Sequence, residues 1–221
     1  MNLQGKIVIV TGASRGIGKA TVALFRKKGA TVIGCSRGTD TDFQCDVSND
    51  DQVHALFKQV QHTYGQLDIL VNNAGVLRTG EFMSQSLSDW DDQYHVNVRG
   101  LVHCTQHAFK LMNTHGGSIV NVSSLAGVQN VEKFPGFSSY VASKSAVSGL
   151  TEALAAEGKP LNIRVNAVAP GAVATQMLRE WDASFKTSTQ PEDIAKIILF
   201  LADAQQSNKL TGCIMPVYCN D

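Results

Sequence analysis

The chain of 221 residues has no net charge, because 19 lysines and arginines balance 19 aspartates and glutamates. That balance argues against a nucleic-acid binder, which carries a basic excess to neutralise phosphates. The five cysteines, Cys35, Cys45, Cys104, Cys213 and Cys219, form no CxxC pair. Neither a metal site nor a disulfide framework is expected, only buried free thiols in a reducing compartment. The opening run MNLQGKIVIV stops at Thr11-Gly12, too short for a membrane span and without signal-peptide flanks, so a cytoplasmic protein with no membrane partner is expected. Repeats, low-complexity segments and linkers are also missing, and residues 1–221 read as one domain. A chain of this size buries on the order of 70% of its extended surface and needs no covalent staple.

What the chain does have is alternation. KIVIV (6–10), ATVIGC (30–35), LDILV (67–71), GSIVNVS (117–123) and IRVNAVA (163–169) are rich in valine and isoleucine. They lack strict polar alternation, as strands buried on both faces do. Between them lie IGKATVALFRKKG, DDQVHALFKQVQHTYG, one long stretch from about Leu87 to Met112, and SYVASKSAVSGLTEALAAEG, all with helical spacing. PEDIAKIILFLAD opens with Pro191 at a first-turn position followed by acids, a favourable helix start, and GCIMPVY closes the chain as a strand. The pattern predicts an α/β fold, a doubly wound parallel sheet with helices on both faces.

IVIVTGASRGIGKATVALF is a strand, a glycine-rich turn and a helix, with glycines at Gly12, Gly16 and Gly18. Glycines there permit a tight turn and close approach of a diphosphate, which the free N–H groups of the helix start attract. Farther on, FSSYVASKSAVSGL puts Tyr140 and Lys144 four positions apart, on one helix face. A free tyrosine titrates near 10, and lowering that by three units takes roughly 4 kcal/mol. A neighbouring cation stabilises phenolate. In isolation the same pair is also an ordinary helical surface.

The motif set settles the choice at this stage. T-G-x-x-x-G-x-G, CDVSN, NNAG (72–75), Asn97, NVSS, Tyr140-x-x-x-Lys144 and PGAVAT (170–175) occur in an order that resembles the short-chain dehydrogenase/reductase family. The likeness extends to bacterial 3-oxoacyl-carrier-protein reductases. It implies a Rossmann-type oxidoreductase that reduces a ketone or aldehyde with a nicotinamide dinucleotide, or runs in reverse. It implies catalytic roles for Asn97, Ser124, Tyr140 and Lys144. Tyr140 gives a proton to the carbonyl oxygen while hydride arrives at carbon, Ser124 holds the same oxygen, and Asn97 orders a water leading from Lys144 to solvent. Ser124 rather than Ser123 is assigned by alignment, since adjacent strand residues face opposite ways. Cofactor contacts are implied for Gly12, Ser14, Arg15, Gly16, Ile17 and Gly18 in the turn, and for Arg37, Asp46 and Val47 around the adenosine. Asn73, Gly75, Tyr140, Lys144, Pro170, Gly171, Val173 and Thr175 complete the implied set.

NADP(H) is favoured over NAD(H). Where NAD enzymes end the second strand with an acid, this chain has Ser36 followed by Arg37, and in the family Arg15 points to the same region. A guanidinium matches a 2′-phosphate with paired charge-assisted bonds; Asp40 and Asp42 are near enough in sequence to neutralise it. The segment from Arg37 to Asp46 is too short for the helix usual there. Phe134, Pro135 and Phe137 form either a substrate wall or loop packing, and Met177, Leu178 and Trp181 line either the pocket or the core. The lid after Thr175 is short. The resemblance also implies a small-molecule partner and a homodimer or homotetramer paired through helices near 87–112 and 139–157. Alternatives are a 3-oxoacyl-thioester substrate and a non-catalytic dinucleotide-binding regulator.

Overall fold

The computed structural model of the protein describes residues 2–219. Its strands are β1 (Ile7–Thr11), β2 (Thr31–Ser36), β3 (Phe43–Gln44), β4 (Ile69–Asn72), β5 (Gly117–Val122), β6 (Ile163–Pro170) and β7 (Ile214–Val217). All neighbouring pairs are parallel, in the order β3-β2-β1-β4-β5-β6-β7. Consecutive side chains of a strand serve opposite faces, which explains the continuous apolar runs. Val8, Val10, Ile69, Val71 and Val120 pack under α1 (Gly16–Lys27) and α7 (Pro191–Ala202) through Phe25, Ile194 and Ile198. Ile7, Ile9, Leu70 and Ile119 face α2 (Asp50–Tyr64) and α4 (Gly100–Met112) through Leu56, Phe57, Ala108 and Met112.

The helix ends follow local chemistry. Asn49 caps α2 by accepting from the Gln52 N–H, two acids follow it, and Gly65 ends the helix in the left-handed region at φ 73°. Pro191 starts α7, and Gln190 and Asp193 cap it reciprocally. One expectation is corrected. The stretch 87–112 is not one regular helix: α3 (Leu87–Tyr94) runs into a π turn at His95–Arg99 before α4 begins. The turn holds the buried Asn97, whose amide is tied to Val76 of the next layer, so the helix accommodates an extra residue there. Between Arg37 and Asp46, where no helix fits, the chain makes the two-residue strand β3. The expected closing strand is confined to Ile214–Val217, and Asn220 and Asp221 lie outside the described residues.

The strand order reverses between β1 and β4, which opens a crevice at the carboxyl ends of the strands. The far side of the sheet is locked by Arg164 of β6. Its guanidinium donates to the carbonyls of Leu201, Ala202 and Ser207 and to Ser207 Oγ, closing the C-terminal end of α7. Arg164→Met removes four hydrogen bonds, although the Leu201 carbonyl still accepts from Ser207 Oγ, and the expected loss is about 2–4 kcal/mol. Thermal unfolding should show Tm lower by about 5–15 °C; a shift under 2 °C would contradict the assignment.

Candidate active site

A cleft of about 980 Å³ runs along the carboxyl ends of the strands. At one end is the glycine turn. Gly12 has φ +64°, and a Cβ on it would stand 2.8 Å from Ala74 Cα. A Cβ on Gly18 would stand 2.3 Å from the Gly12 carbonyl oxygen, so the start of α1 sits directly on the turn. The Asn73 amide donates to the Thr11 and Gly12 carbonyls at 2.9 and 3.0 Å, while Thr11 Oγ1 accepts from the N–H groups of Asn73 and Ala74. NNAG is thus a clamp joining the ends of β1 and β4. The first turn of α1 holds no acid and no side chain caps it, which leaves its N–H groups for an anion. A tight glycine cradle, an uncapped helix start and an elongated cleft fit a dinucleotide.

Ser14, Gly16, Ile17, Asn73 and Gly75 line this half, as do Asp46 and Val47. Pro170, Gly171, Val173 and Thr175 line the opposite wall, after β6. Gly18 lies behind the wall rather than in it. Arg37 is exposed and borders the cleft, and among the described residues no carboxylate pairs with it. Asp42 is not available to neutralise it, because its carboxylate binds Arg26 at 2.6 Å and the Gly34 N–H at 2.7 Å. Arg15 borders the cleft as well. It forms an ion pair with Glu180 at 3.0 Å, across the mouth of the cleft. That guanidinium, with Gln176, holds the Glu180 carboxyl below its usual range.

The other end is built by α5 (Ser138–Gly158), which lies against β6 and reaches β5 through Lys144 and Thr151. Ser123 and Ser124 both border the cleft, but the Ser123 hydroxyl donates to the Lys144 main-chain carbonyl at 3.0 Å, whereas the Ser124 hydroxyl is hydrogen-bonded to Tyr140. Lys144 is 5% exposed; its ammonium donates to the Val122 carbonyl at 2.9 Å and lies 5.7 Å from the centre of the Tyr140 ring. Burial lowers its pKa to about 8. Burial also pushes Tyr140 up to about 12, against a hydrogen bond from Ser124 that favours phenolate. Desolvation of the phenol sets the direction of this shift, and the Lys144 ammonium is not among its causes. Asn97 does not reach the cleft wall. Its amide exchanges hydrogen bonds with the Val76 main chain and donates to Ser143 Oγ at 3.1 Å, and Ser143 in turn donates to the Tyr140 carbonyl. It acts here as a brace under α5.

Phe134 and Phe137 prove to be wall, and Pro135 does not line the cleft. Trp181 stands 5.1 Å from Phe137 and 5.8 Å from Phe134, and Phe137 meets Tyr140 edge-on at 6.0 Å. Met177 and Leu178 of α6 (Gln176–Trp181) face the cleft too. Sequence reasoning missed Phe185, 5.8 Å from Trp181, although the four-residue spacing of two aromatics was a usable signal. It also missed Glu180 and Ser143, for which an exposed acid and a helical serine give no signal.

The model of the family described as short chain dehydrogenase matches residues 6–185. The chain belongs to this family. It is 36% identical to a 3-oxoacyl-acyl-carrier-protein reductase of Thermotoga maritima over 98% of both chains. It is 39% identical to a 3beta-hydroxysteroid dehydrogenase of Mediterraneibacter gnavus, over 82% of this chain and 71% of that one. The solved structure of ElxO with NADP bound superposes with a TM-score of 0.88 at 30% identity, covering 96% of this chain and 97% of that one. Family membership makes the chain an NAD(P)-dependent oxidoreductase acting at a CH–OH or carbonyl group. Among the described residues no His, Cys, Asp and Glu cluster could hold a metal, and no helix is long and apolar enough to cross a membrane.

Burying the Lys144 ammonium destabilises the fold while both folded and unfolded lysine are charged, below about pH 8. The cost is roughly 3 kcal/mol and falls away as pH rises from about 8 to 10.5, where the unfolded chain binds the extra proton. Lys144→Met should therefore raise Tm at pH 6–7, with the gain shrinking toward pH 10. A pH-independent difference would contradict the assignment.

Proposed function

We propose that the protein reduces a ketone or aldehyde to an alcohol with NADP(H), Tyr140 being the general acid. The observation that carries this reading is the placement of the Tyr140 and Ser124 hydroxyls in one cleft, beside the buried Lys144 and in line with the glycine cradle. The dinucleotide, when bound, supplies two electrons as a hydride to the carbonyl carbon. Tyr140 supplies the proton to the oxygen, and burial keeps it protonated at neutral pH, as a proton donor must be. Ser124 donates to the same oxygen where negative charge develops. Lys144 presents a positive charge that stabilises the phenolate left behind, and its spare donors would be available to hold the ribose of a bound dinucleotide. With a pKa of about 8, it is also able to return the proton near neutral pH. Asn97 serves by holding α5, through Ser143, at the level of the π turn.

The preference for NADP(H) rests on Ser36 and Arg37. No acid stands at the end of β2 to repel a 2′-phosphate, and Arg37 is unpaired among the described residues. Similarity to a 3-oxoacyl reductase over nearly the whole chain keeps an oxoacyl thioester as the second reading. The reading includes a single-domain, cytoplasmic homo-oligomer, paired through the helices at 87–112 and 139–157.

Tyr140→Phe should lower kcat by about 10²–10⁴, while NADPH affinity, read by fluorescence titration, stays within about threefold. Full activity in that variant would refute the acid assignment. Arg37→Ser should weaken NADPH binding by about tenfold and change NADH binding by less than about twofold. Equal losses for both dinucleotides would remove Arg37 from the phosphate site.

A further inference from the structure

The substrate half of the cleft is unusually aromatic for so short a lid. Phe134, Phe137, Trp181 and Phe185 form a continuous wall with ring centres 5.1–5.8 Å apart, ending edge-on against Tyr140. Core packing explains Phe137, which is 8% exposed. It does not explain Phe134 and Phe185, which are 57% and 37% exposed at the mouth. Apolar rings grouped beside the reacting hydroxyls present a surface that a ligand can cover.

The polar groups near this wall are few. Tyr140 and Ser124 are reserved for the carbonyl oxygen. Lys133 turns its ammonium onto the carbonyls of Leu125 and Val128 in its own loop. Glu132 and Lys186 line the rim with opposite charges. A polyol would bring several hydroxyls to ring faces that offer no hydrogen-bond partner, with Glu132, Lys186 and Gln176 the few groups placed to meet them. An acidic carrier protein would meet a rim of mixed sign. A flexible acyl chain would lose rotamer freedom on a wall that a rigid body covers without that loss. α6, which borders the slot, is only six residues long, and the cleft of about 980 Å³ has room for a broad, flat body.

We infer that the substrate is a rigid, uncharged ring ketone, aromatic or fused-ring, whose hydrocarbon face lies on the Phe134–Trp181–Phe185 wall. The inference rests on the carbonyl-reductase reading and goes beyond it by naming the class of compound.

Three probes separate the classes: 2-tetralone for a fused-ring ketone, S-acetoacetyl-N-acetylcysteamine for an oxoacyl thioester, and D-glucose for a polyol. NADPH oxidation should give a kcat/KM for 2-tetralone at least tenfold above the other two. Trp181→Ala and Phe134→Ala should each raise its KM fivefold or more with kcat within threefold. Calorimetric titration with the alcohol 2-tetralol should show the same weakening in both variants. A lead for the thioester or the sugar would overturn the inference, as would unchanged 2-tetralol binding in both variants or none in the parent. If 2-tetralol binds through Trp181 yet no probe is reduced, the ligand class stands and the carbonyl-reductase reading fails.

Discussion

The burial of one ammonium group at the carboxyl end of β5 organises the rest of this structure. Lys144 is fixed at both ends: its side chain donates to the Val122 carbonyl, and its main-chain carbonyl accepts from Ser123. These bonds set the axial position of α5 against the sheet, and Tyr140 is one turn earlier on the same helix. A solvated lysine would gain nothing from this arrangement and would leave the tyrosine unplaced. Burial costs stability, and the cost falls at a point where a cation is useful only to chemistry. Departures of this kind from the most stable choice are characteristic of functional sites.

The opposite end of the cleft uses no charge at all in its construction. Thr11 and Asn73 join the ends of β1 and β4 through main-chain groups, and the glycines let α1 start directly on that junction. The anion site that results is a backbone property, while the choice of dinucleotide falls to side chains at its edge. Arg37 stands free of carboxylates among the described residues, whereas Arg15 reaches over to Glu180 in the lid. The pair couples the short lid to the glycine turn, but both partners are about half exposed, so the link is weak and salt-sensitive. The two halves meet at the switch point between β1 and β4, where parallel sheets of this order place their ligands.

Much of this was legible in the residues. The strands were readable because covering both faces makes every position apolar, and the helices because their periods and caps are local. The glycine turn, NNAG and the Tyr140–Lys144 pair were legible because each must keep a fixed spacing to close its geometry. Other features depend on packing at long range. The π turn at His95–Arg99 follows from the hold of Asn97 on Val76 and Ser143, which no window of sequence displays. The Tyr140 shift was not legible, because a sequence shows charges and hides desolvation. Met177, Leu178 and Trp181 could be placed in the cleft only once the path of α6 was known.

The most direct test of the central claim is an NMR titration of the lysine side chains, with isotope at the ε-carbon or ζ-nitrogen. Lys144 is assigned by the resonance lost in Lys144→Met. A midpoint near pH 8, clearly below the values near 10.5 of ordinary surface lysines, is the predicted result. A midpoint for Lys144 among those of the exposed lysines would mean that its ammonium is solvated, and the account of how Tyr140 is positioned and assisted would be contradicted.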